Sequence, residues 1–229
     1  MPAGVPWRPA SRRPRLLDGE VHVYCADLTA RGPHAQATGA LLDEDERARA
    51  GRFAFEGDRL RFVAAHAILR EVLARYLPAA ELRFTYGPHG KPALARGEGL
   101  EFNMSHSGDL ALYAVTRGRA VGVDVERVRP EVARELTAAR FFTPAEVEGI
   151  LSLPEAAQAP AFFTVWTRKE ACLKATGKGL SVPLDAFAVW PAAEPPWQVL
   201  DLDVGPGYAA ALAAEGASWT VRRWAWTGL

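Results

Sequence analysis

The sequence predicts an α+β fold made of two similar halves, each a small antiparallel sheet with one long helix. Three observations support this fold class. Alternating apolar residues mark several short strands, capping signatures mark helix starts, and the order strand, helices, strands occurs twice. No low-complexity linker interrupts the chain, so we assign the halves to residues 1–115 and 116–229.

Composition places the chain among ordinary globular proteins. It has 229 residues, 49% hydrophobic and 24% charged, which is enough to bury a sizeable core. Lys plus Arg equal Asp plus Glu at 27 each, so no global charge indicates a nucleic acid or membrane partner. Cys25 and Cys172 form no metal-type pair, and the N-terminus lacks the apolar region of a signal peptide. We expect a cytoplasmic monomer that binds neither nucleic acid nor membrane.

The first half contains two predicted helices after a Pro/Arg-rich start at residues 1–18. Asp43 followed by Glu46 is a helix start, because the two side chains can cap each other's backbone. An amphipathic helix is predicted from Asp58 to Leu77, ended by the next proline. Strands are predicted at 21–28, within 81–94 as one strand running into a Gly/Pro turn, and on both sides of a polar loop in 100–116.

The second half begins with a tight turn at residues 116–120, so 110–127 is predicted to be a hairpin. A helix is expected at roughly 131–140. Thr143 and Glu146 form another capping signature, with proline at the first helical position. A long helix then runs through 161–176 to Gly177. The remaining predicted strands are 186–190, 197–202, 208–214 and 218–226.

Residues 121–128, VGVDVERV, place two carboxylates on one face of a strand. The valines share one face, so Gly122, Asp124 and Glu126 share the other. Like charges this close repel each other unless a positive group lies between them. A solvated strand face and a site for a hard divalent cation such as Mg²⁺ both remain open on this pattern.

The long helix carries Glu170 and Lys174 four residues apart, and therefore on one side. A surface ion pair is the simple interpretation. Trp166 and Cys172 nevertheless indicate a largely buried helix. A buried face bearing Lys169 with the other two charges needs partners, which an anion and a metal would supply.

Two further segments carry polar chemistry. Gly90, Lys91 and Pro92 form either an ordinary hairpin turn or a phosphate grip, since the turn exposes N–H groups beside a lysine. The segment FNMSHSG offers Ser105 and His106 as donors to phosphate. A serine nucleophile is disfavoured, because no G-x-S-x-G elbow is present.

Read in order, GPHGKP, FNMSHS, GVDVE, FFTPAE and WTRKEACLKATGKGL strongly resemble the 4′-phosphopantetheinyl transferase family. The resemblance is to its larger, two-halved type, which includes the surfactin-synthetase activator, and it covers roughly residues 49–183. It implies a pseudo-dimeric fold with the active site in the cleft between the halves. It also implies that a Mg²⁺-dependent enzyme, with Mn²⁺ as an alternative ion, moves the phosphopantetheine arm of coenzyme A onto a serine of an apo acyl or peptidyl carrier protein. The leaving group is 3′,5′-ADP, and the pathways implied are fatty-acid, polyketide and nonribosomal peptide biosynthesis.

The resemblance assigns residues one by one. Asp124, Glu126 and Glu170 are the implied metal ligands, and Glu170 and Lys174 are the implied catalytic residues. Coenzyme A is expected to contact Arg49, Gly90, Lys91, Pro92, Ser105, His106 and Lys174. A second basic position expected near Arg49 is Glu46 here, which weakens the assignment of the 3′-phosphate site.

Three points stay open from the sequence. The proton acceptor is Glu170 or a water that it orients, with Glu146 in a supporting role. The rival enzyme is a Mg²⁺-dependent coenzyme A pyrophosphohydrolase, and the rival binding protein is a non-catalytic coenzyme A or carrier-binding module. The physiological carrier is not indicated.

Overall fold

The computed structural model describes residues 6–11, 13–29, 38–78, 82–97, 99–131 and 141–227. Its strands are β1 (Arg8–Pro9), β2 (Glu20–Asp27), β3 (Phe84–Tyr86), β4 (Pro92–Leu94), β5 (Leu100–Ser107), β6 (Leu110–Arg117), β7 (Val121–Arg127), β8 (Trp197–Asp201), β9 (Tyr208–Glu215) and β10 (Thr220–Ala225). Its α-helices are α1 (Glu44–Ala50), α2 (Glu56–Leu73), α3 (Pro144–Leu151) and α4 (Glu155–Thr176), with short 3₁₀ segments at Thr38–Leu41, Gly179–Ser181 and Leu184–Ala186. The α+β class is confirmed. The helix expected at 131–140 lies almost wholly outside the described residues.

The larger sheet has the strand order β1-β10-β2-β6-β5. Strand β10 runs parallel to both β1 and β2, whereas β6 runs antiparallel to its two neighbours, β2 and β5. The prediction of an antiparallel sheet is therefore wrong for the larger sheet, because β10 inserts between β1 and β2 and runs parallel to both. The predicted boundary between residues 115 and 116 falls inside β6.

The smaller sheet has the order β7-β9-β8 and is antiparallel. The hairpin predicted over 110–127 is wrong, because β6 pairs with β2 and β5 while β7 pairs with β9. The valines of β7 pack with Val23 and Leu112 of the larger sheet. Strand β7 thus packs face to face against β6, with its valines buried between the two sheets, and does not form hydrogen bonds along β6.

The larger and smaller sheets lie between two long helices, while β3 and β4 form a separate two-stranded sheet. One face of the larger sheet packs on α2 through Tyr24, Leu69 and Phe102, and its other face packs on the smaller sheet. The outer face of the smaller sheet is covered by α4, where Ala211 meets Val165. The order of layers is thus α2, larger sheet, smaller sheet, α4. None of the described helices has the length and apolar character needed to cross a membrane.

Local signals placed three helix ends correctly, whereas α2 spans Glu56–Leu73 instead of Asp58–Leu77 and α4 begins at Glu155 instead of residue 161. Asp43 with Glu46 and Thr143 with Glu146 both form complete capping boxes. Helix α4 ends as predicted at Gly177, whose φ of 68° lies in the left-handed region.

The strand predicted at 186–190 is not formed. A 3₁₀ turn precedes Phe187, and the backbone groups of this segment bond to two buried side chains. Lys169 donates to the carbonyls of Leu184 and Phe187, and Glu146 accepts from the Val189 N–H. These bonds satisfy groups that a strand would have paired with a neighbour.

Candidate active site

Gly122 explains how α4 reaches the carboxylates of β7. A Cβ at this position would lie 2.0 Å from the carbonyl oxygen of Ala171 and 2.5 Å from the Ala175 nitrogen. Only a glycine allows the helix backbone to rest directly on the strand here. This close approach brings Glu170 and Lys174 beside the polar face of β7.

Asp124 is the centre of the resulting cluster and is only 2% exposed. Its Oδ1 accepts hydrogen bonds from Ser105 Oγ at 2.8 Å and from Lys174 Nζ at 2.6 Å. Lys174 also donates to Ser105 Oγ at 2.8 Å. The other oxygen, Oδ2, is buried and has no hydrogen-bond partner among the described residues. A buried carboxylate oxygen without a donor is costly, so this atom has unused capacity for a cation.

Glu126 and Glu170 lie half-buried around Asp124. Burial raises the pKa of Glu126, and the charge of Asp124 raises it further, against a hydrogen bond from Ser107 and the charge of Lys174. Burial likewise raises the pKa of Glu170, with Asp124 and Glu126 adding to the effect and Lys174 opposing it. The carboxylates of the site therefore destabilise each other's ionised forms, as the spacing in the sequence indicated.

Strand β5 supplies the other side of the cluster. The segment FNMSHS is a continuous strand and not the predicted polar loop. Asn103 Oδ1 accepts from the Val123 N–H at 2.8 Å, and Ser107 Oγ donates to Glu126 Oε2 at 2.7 Å. Alternate side chains of β5 thus join the edges of two different sheets. Ser107 is a site residue that the sequence analysis missed, although its alternation with Ser105 was a usable signal.

A cavity of about 360 Å³ opens beside the cluster. It is lined by six of the predicted coenzyme A contacts, namely Arg49, Gly90, Pro92, Ser105, His106 and Lys174. Aromatic residues form part of its wall, and the guanidinium of Arg49 lies 5.4 Å from the ring centroid of Phe62. His106 lies at the cavity, where partial loss of hydration lowers its pKa, as do the charges of His66 and Lys174. The cavity combines cationic side chains with apolar and aromatic surface, which suits an anionic ligand that carries an aromatic nucleobase.

Lys91 connects the turn between β3 and β4 to β7 and to the end of α4. Its Nζ donates to the carbonyl oxygens of Val121 at 3.2 Å and Ala175 at 3.0 Å, and burial lowers its pKa. A second cavity, of about 230 Å³, places Lys91 near Glu170 and Lys174. Because an ammonium has three donors, one remains for a ligand.

Glu46 has a structural role. It caps α1, accepts from Arg70 Nε at 2.9 Å and contacts His66 Nδ1 at 2.9 Å. These partners lower its pKa despite burial, which opposes ionisation. His66 and Phe62 also line the larger cavity, and sequence reasoning missed both.

Glu146 and Lys169 form a fully buried ion pair with an N–O distance of 2.8 Å, and each side chain is 0% exposed. The expectation that Lys169 shares a face with Glu170 and Lys174 is therefore wrong. Glu146 also accepts from the backbone of Thr143 and Val189. Since its oxygens are buried and occupied, it is not a candidate proton acceptor for a substrate.

Within the described residues, no three His, Cys, Asp or Glu side chains are already gathered into a metal-binding group. The joint ligation of one ion by Asp124, Glu126 and Glu170 thus stays a prediction.

Comparison with known proteins gives two family matches and several named relatives. Residues 120–225 match the family model described as the 4′-phosphopantetheinyl transferase superfamily, and residues 31–117 match that of the 4′-phosphopantetheinyl transferase N-terminal region. The chain is 39% identical to the 4′-phosphopantetheinyl transferase HetI of Nostoc sp., over 95% of this chain and 97% of that protein. It is 30% identical to the 4′-phosphopantetheinyl transferase Sfp of Bacillus subtilis, over 76% of this chain and 83% of that protein. The chain therefore belongs to the 4′-phosphopantetheinyl transferase superfamily.

Proposed function

We propose that the chain transfers the 4′-phosphopantetheine arm of coenzyme A to a serine of an apo acyl or peptidyl carrier protein. The observation that carries the proposal is the Asp124–Lys174–Ser105 cluster, which opens onto a cavity lined by Arg49 and His106. Carboxylates beside cations on one cavity suit a reaction in which a metal and a polyphosphate meet.

The donor set fits Mg²⁺ or Mn²⁺. Asp124, Glu126 and Glu170 offer only oxygen atoms, which hard cations prefer, and Asp124 Oδ2 is a buried oxygen without a hydrogen-bond partner in the described residues. When bound, the ion would neutralise the pyrophosphate of coenzyme A. These three residues would hold it.

The remaining residues have distinct roles in this proposal. Arg49 and His106 would bind phosphate oxygens from the cavity wall, and Lys174 would stabilise charge on the leaving group. Gly90 and Pro92 shape the turn at the cavity edge, while Lys91 would use its third donor on a phosphate.

The transfer is an in-line attack at phosphorus. A bond forms between the carrier serine oxygen and the β-phosphorus of coenzyme A, and the bond from that phosphorus to the oxygen bridging the two phosphates breaks to release 3′,5′-ADP. The serine proton passes to Glu170 in this scheme. Glu170 lies one helical turn before Lys174, and therefore on the same side of α4, beside the carboxylate cluster.

Intact-mass measurement of purified apo-carriers tests the proposal. Wild-type protein with coenzyme A and Mg²⁺ should add one phosphopantetheine group, and Asp124→Asn should reduce the rate by about 100-fold or more, the scale of losing electrostatic stabilisation at a reacting phosphate. Asp201→Asn is the matched control, because Asp201 pairs with Arg168 on an exposed surface. Release of 3′,5′-ADP without any carrier would instead identify a pyrophosphohydrolase.

A further inference from the structure

The hydroxyl of Ser107 bridges the two halves of the molecule at the edge of the carboxylate cluster. It lies at the end of β5 in the larger sheet and donates to Glu126 Oε2 at 2.7 Å in the smaller sheet. The same oxygen accepts from the Arg127 N–H at 3.1 Å. One hydroxyl thus contacts both the side chain of Glu126 and the backbone next to it.

The two contacts together fix the carboxylate. The backbone N–H of Arg127 holds the hydroxyl oxygen in place, so the hydroxyl hydrogen is directed at Glu126 Oε2. Within the described residues, this is the hydrogen bond that the Glu126 carboxylate accepts. Asp124, by comparison, is held by Ser105 and Lys174. Engaging one oxygen of Glu126 with a neutral donor leaves the other oxygen, and the full negative charge, for a cation.

We propose that Ser107 is a positioning residue, which orients Glu126 for the divalent cation from the opposite half of the molecule. The proposal rests on the function proposed above, since it concerns the same cation. Groups that hydrogen-bond a metal ligand typically change metal affinity by about 10- to 100-fold when they are removed. Ser107 itself touches neither substrate nor cation in this role.

Direct metal binding, without carrier, is the test. The free Mn²⁺ signal in electron paramagnetic resonance gives the Mn²⁺ affinity of the full chain in the presence of coenzyme A. Ser107→Ala removes both hydrogen bonds and should weaken Mn²⁺ binding by about 10- to 100-fold. Ser107→Thr keeps the hydroxyl and should restore affinity close to wild type. Ser152→Ala is the control, because that exposed serine bonds only its own helix end, the carbonyl of Gly149.

The outcomes separate this proposal from the function on which it rests. If wild type binds Mn²⁺ and Ser107→Ala binds it equally well, the positioning role is overturned while the transferase proposal stands. If wild type binds no Mn²⁺, both fail. Should Ser107→Ala not fold, Ser107→Cys keeps the volume with a weak donor and should still lose affinity. A cysteine variant with wild-type affinity would overturn the proposal.

Discussion

Lys174 is the residue on which the charges of the site depend. It lies 2.6 Å from Asp124 Oδ1 and also lowers the pKa of Glu126 and Glu170 against the effect of their burial. One ammonium therefore offsets part of the repulsion among three carboxylates, and Asp124 Oδ2 still has no hydrogen-bond partner in the described residues. A bound cation would be attracted by the negative charge of these carboxylates, which Lys174 only partly balances.

Glu170 has two proposed roles, and Glu170→Gln distinguishes them. The substitution keeps the size and one ligating oxygen but removes charge and basicity. If Glu170 accepts the serine proton, kcat should stay about 10²- to 10⁴-fold below wild type at saturating Mg²⁺. A Mg²⁺ titration of the transfer rate measures this. Glu148→Gln, on an exposed face of α3, is the control and should behave as wild type.

Full recovery of Glu170→Gln at high Mg²⁺ would show that the defect was metal occupancy. The proton acceptor would then be another group, and Glu146 would not be that group, since it is fully buried against Lys169.

At the scale of elements, adjacent residues of α4 point in different directions and have different roles. Lys169 points into the protein and holds Glu146 and the 184–189 segment, whereas Glu170 faces the carboxylate cluster. Successive helical residues are separated by about 100° around the axis, so neighbours in sequence need not share a face. The contact of α4 with β7 at Gly122 sets where the functional face lies.

Gly122→Ala should therefore destabilise the protein by about 3 kcal/mol, the upper end of the usual cost of overpacking, and abolish transfer. The added Cβ would meet backbone atoms of α4, which cannot move aside as a flexible side chain can. Chemical denaturation measures the loss. Gly51→Ala is the matched control, because Gly51 has a φ of −67° and a Cβ there would lie 3.6 Å from the carbonyl oxygen of Ala48. Equal stability of the two variants would contradict a direct helix–strand contact.

At the scale of the whole molecule, the site depends on how the two sheets and their helices are joined. Asn103 and Ser107 connect the edges of the sheets, and Lys91 connects the turn between β3 and β4 to β7 and the end of α4. Lys91 also satisfies a carbonyl in the last turn of α4, where a positive charge is favourable.

The substitution Lys91→Met tests the contacts of Lys91 with β7 and α4. Losing charge-assisted bonds to two carbonyls should lower the free energy of unfolding by about 1.5–3 kcal/mol, and losing the third donor should weaken coenzyme A binding by about 10-fold or more. Denaturation and calorimetry with coenzyme A measure the two effects. Lys178→Met, at an exposed position, is the control. If Lys91→Met has normal stability and weakened coenzyme A binding, Lys91 acts only as a ligand contact. If it has reduced stability and normal coenzyme A binding, Lys91 has only a structural role.

The sequence by itself determined the features that depend on neighbouring residues. Both capping boxes, the left-handed end of α4 and the valine face of β7 follow from contacts within a few residues, and each was predicted. The ordered motifs also indicated the family and the residues that gather at the cavity.

Only the tertiary structure decided which distant groups meet. The insertion of β10 beside β2, the burial of Glu146 against Lys169, and the bonds of Lys91 and Ser107 join segments far apart in the chain. Sequence periodicity says which face of an element is apolar or polar, but it does not say what lies opposite that face. Here Lys169, Lys91 and Ser107 bond to partners on other elements, whereas Asp124 Oδ2 has no hydrogen-bond partner among the described residues. Those partners became identifiable only once the layers were packed.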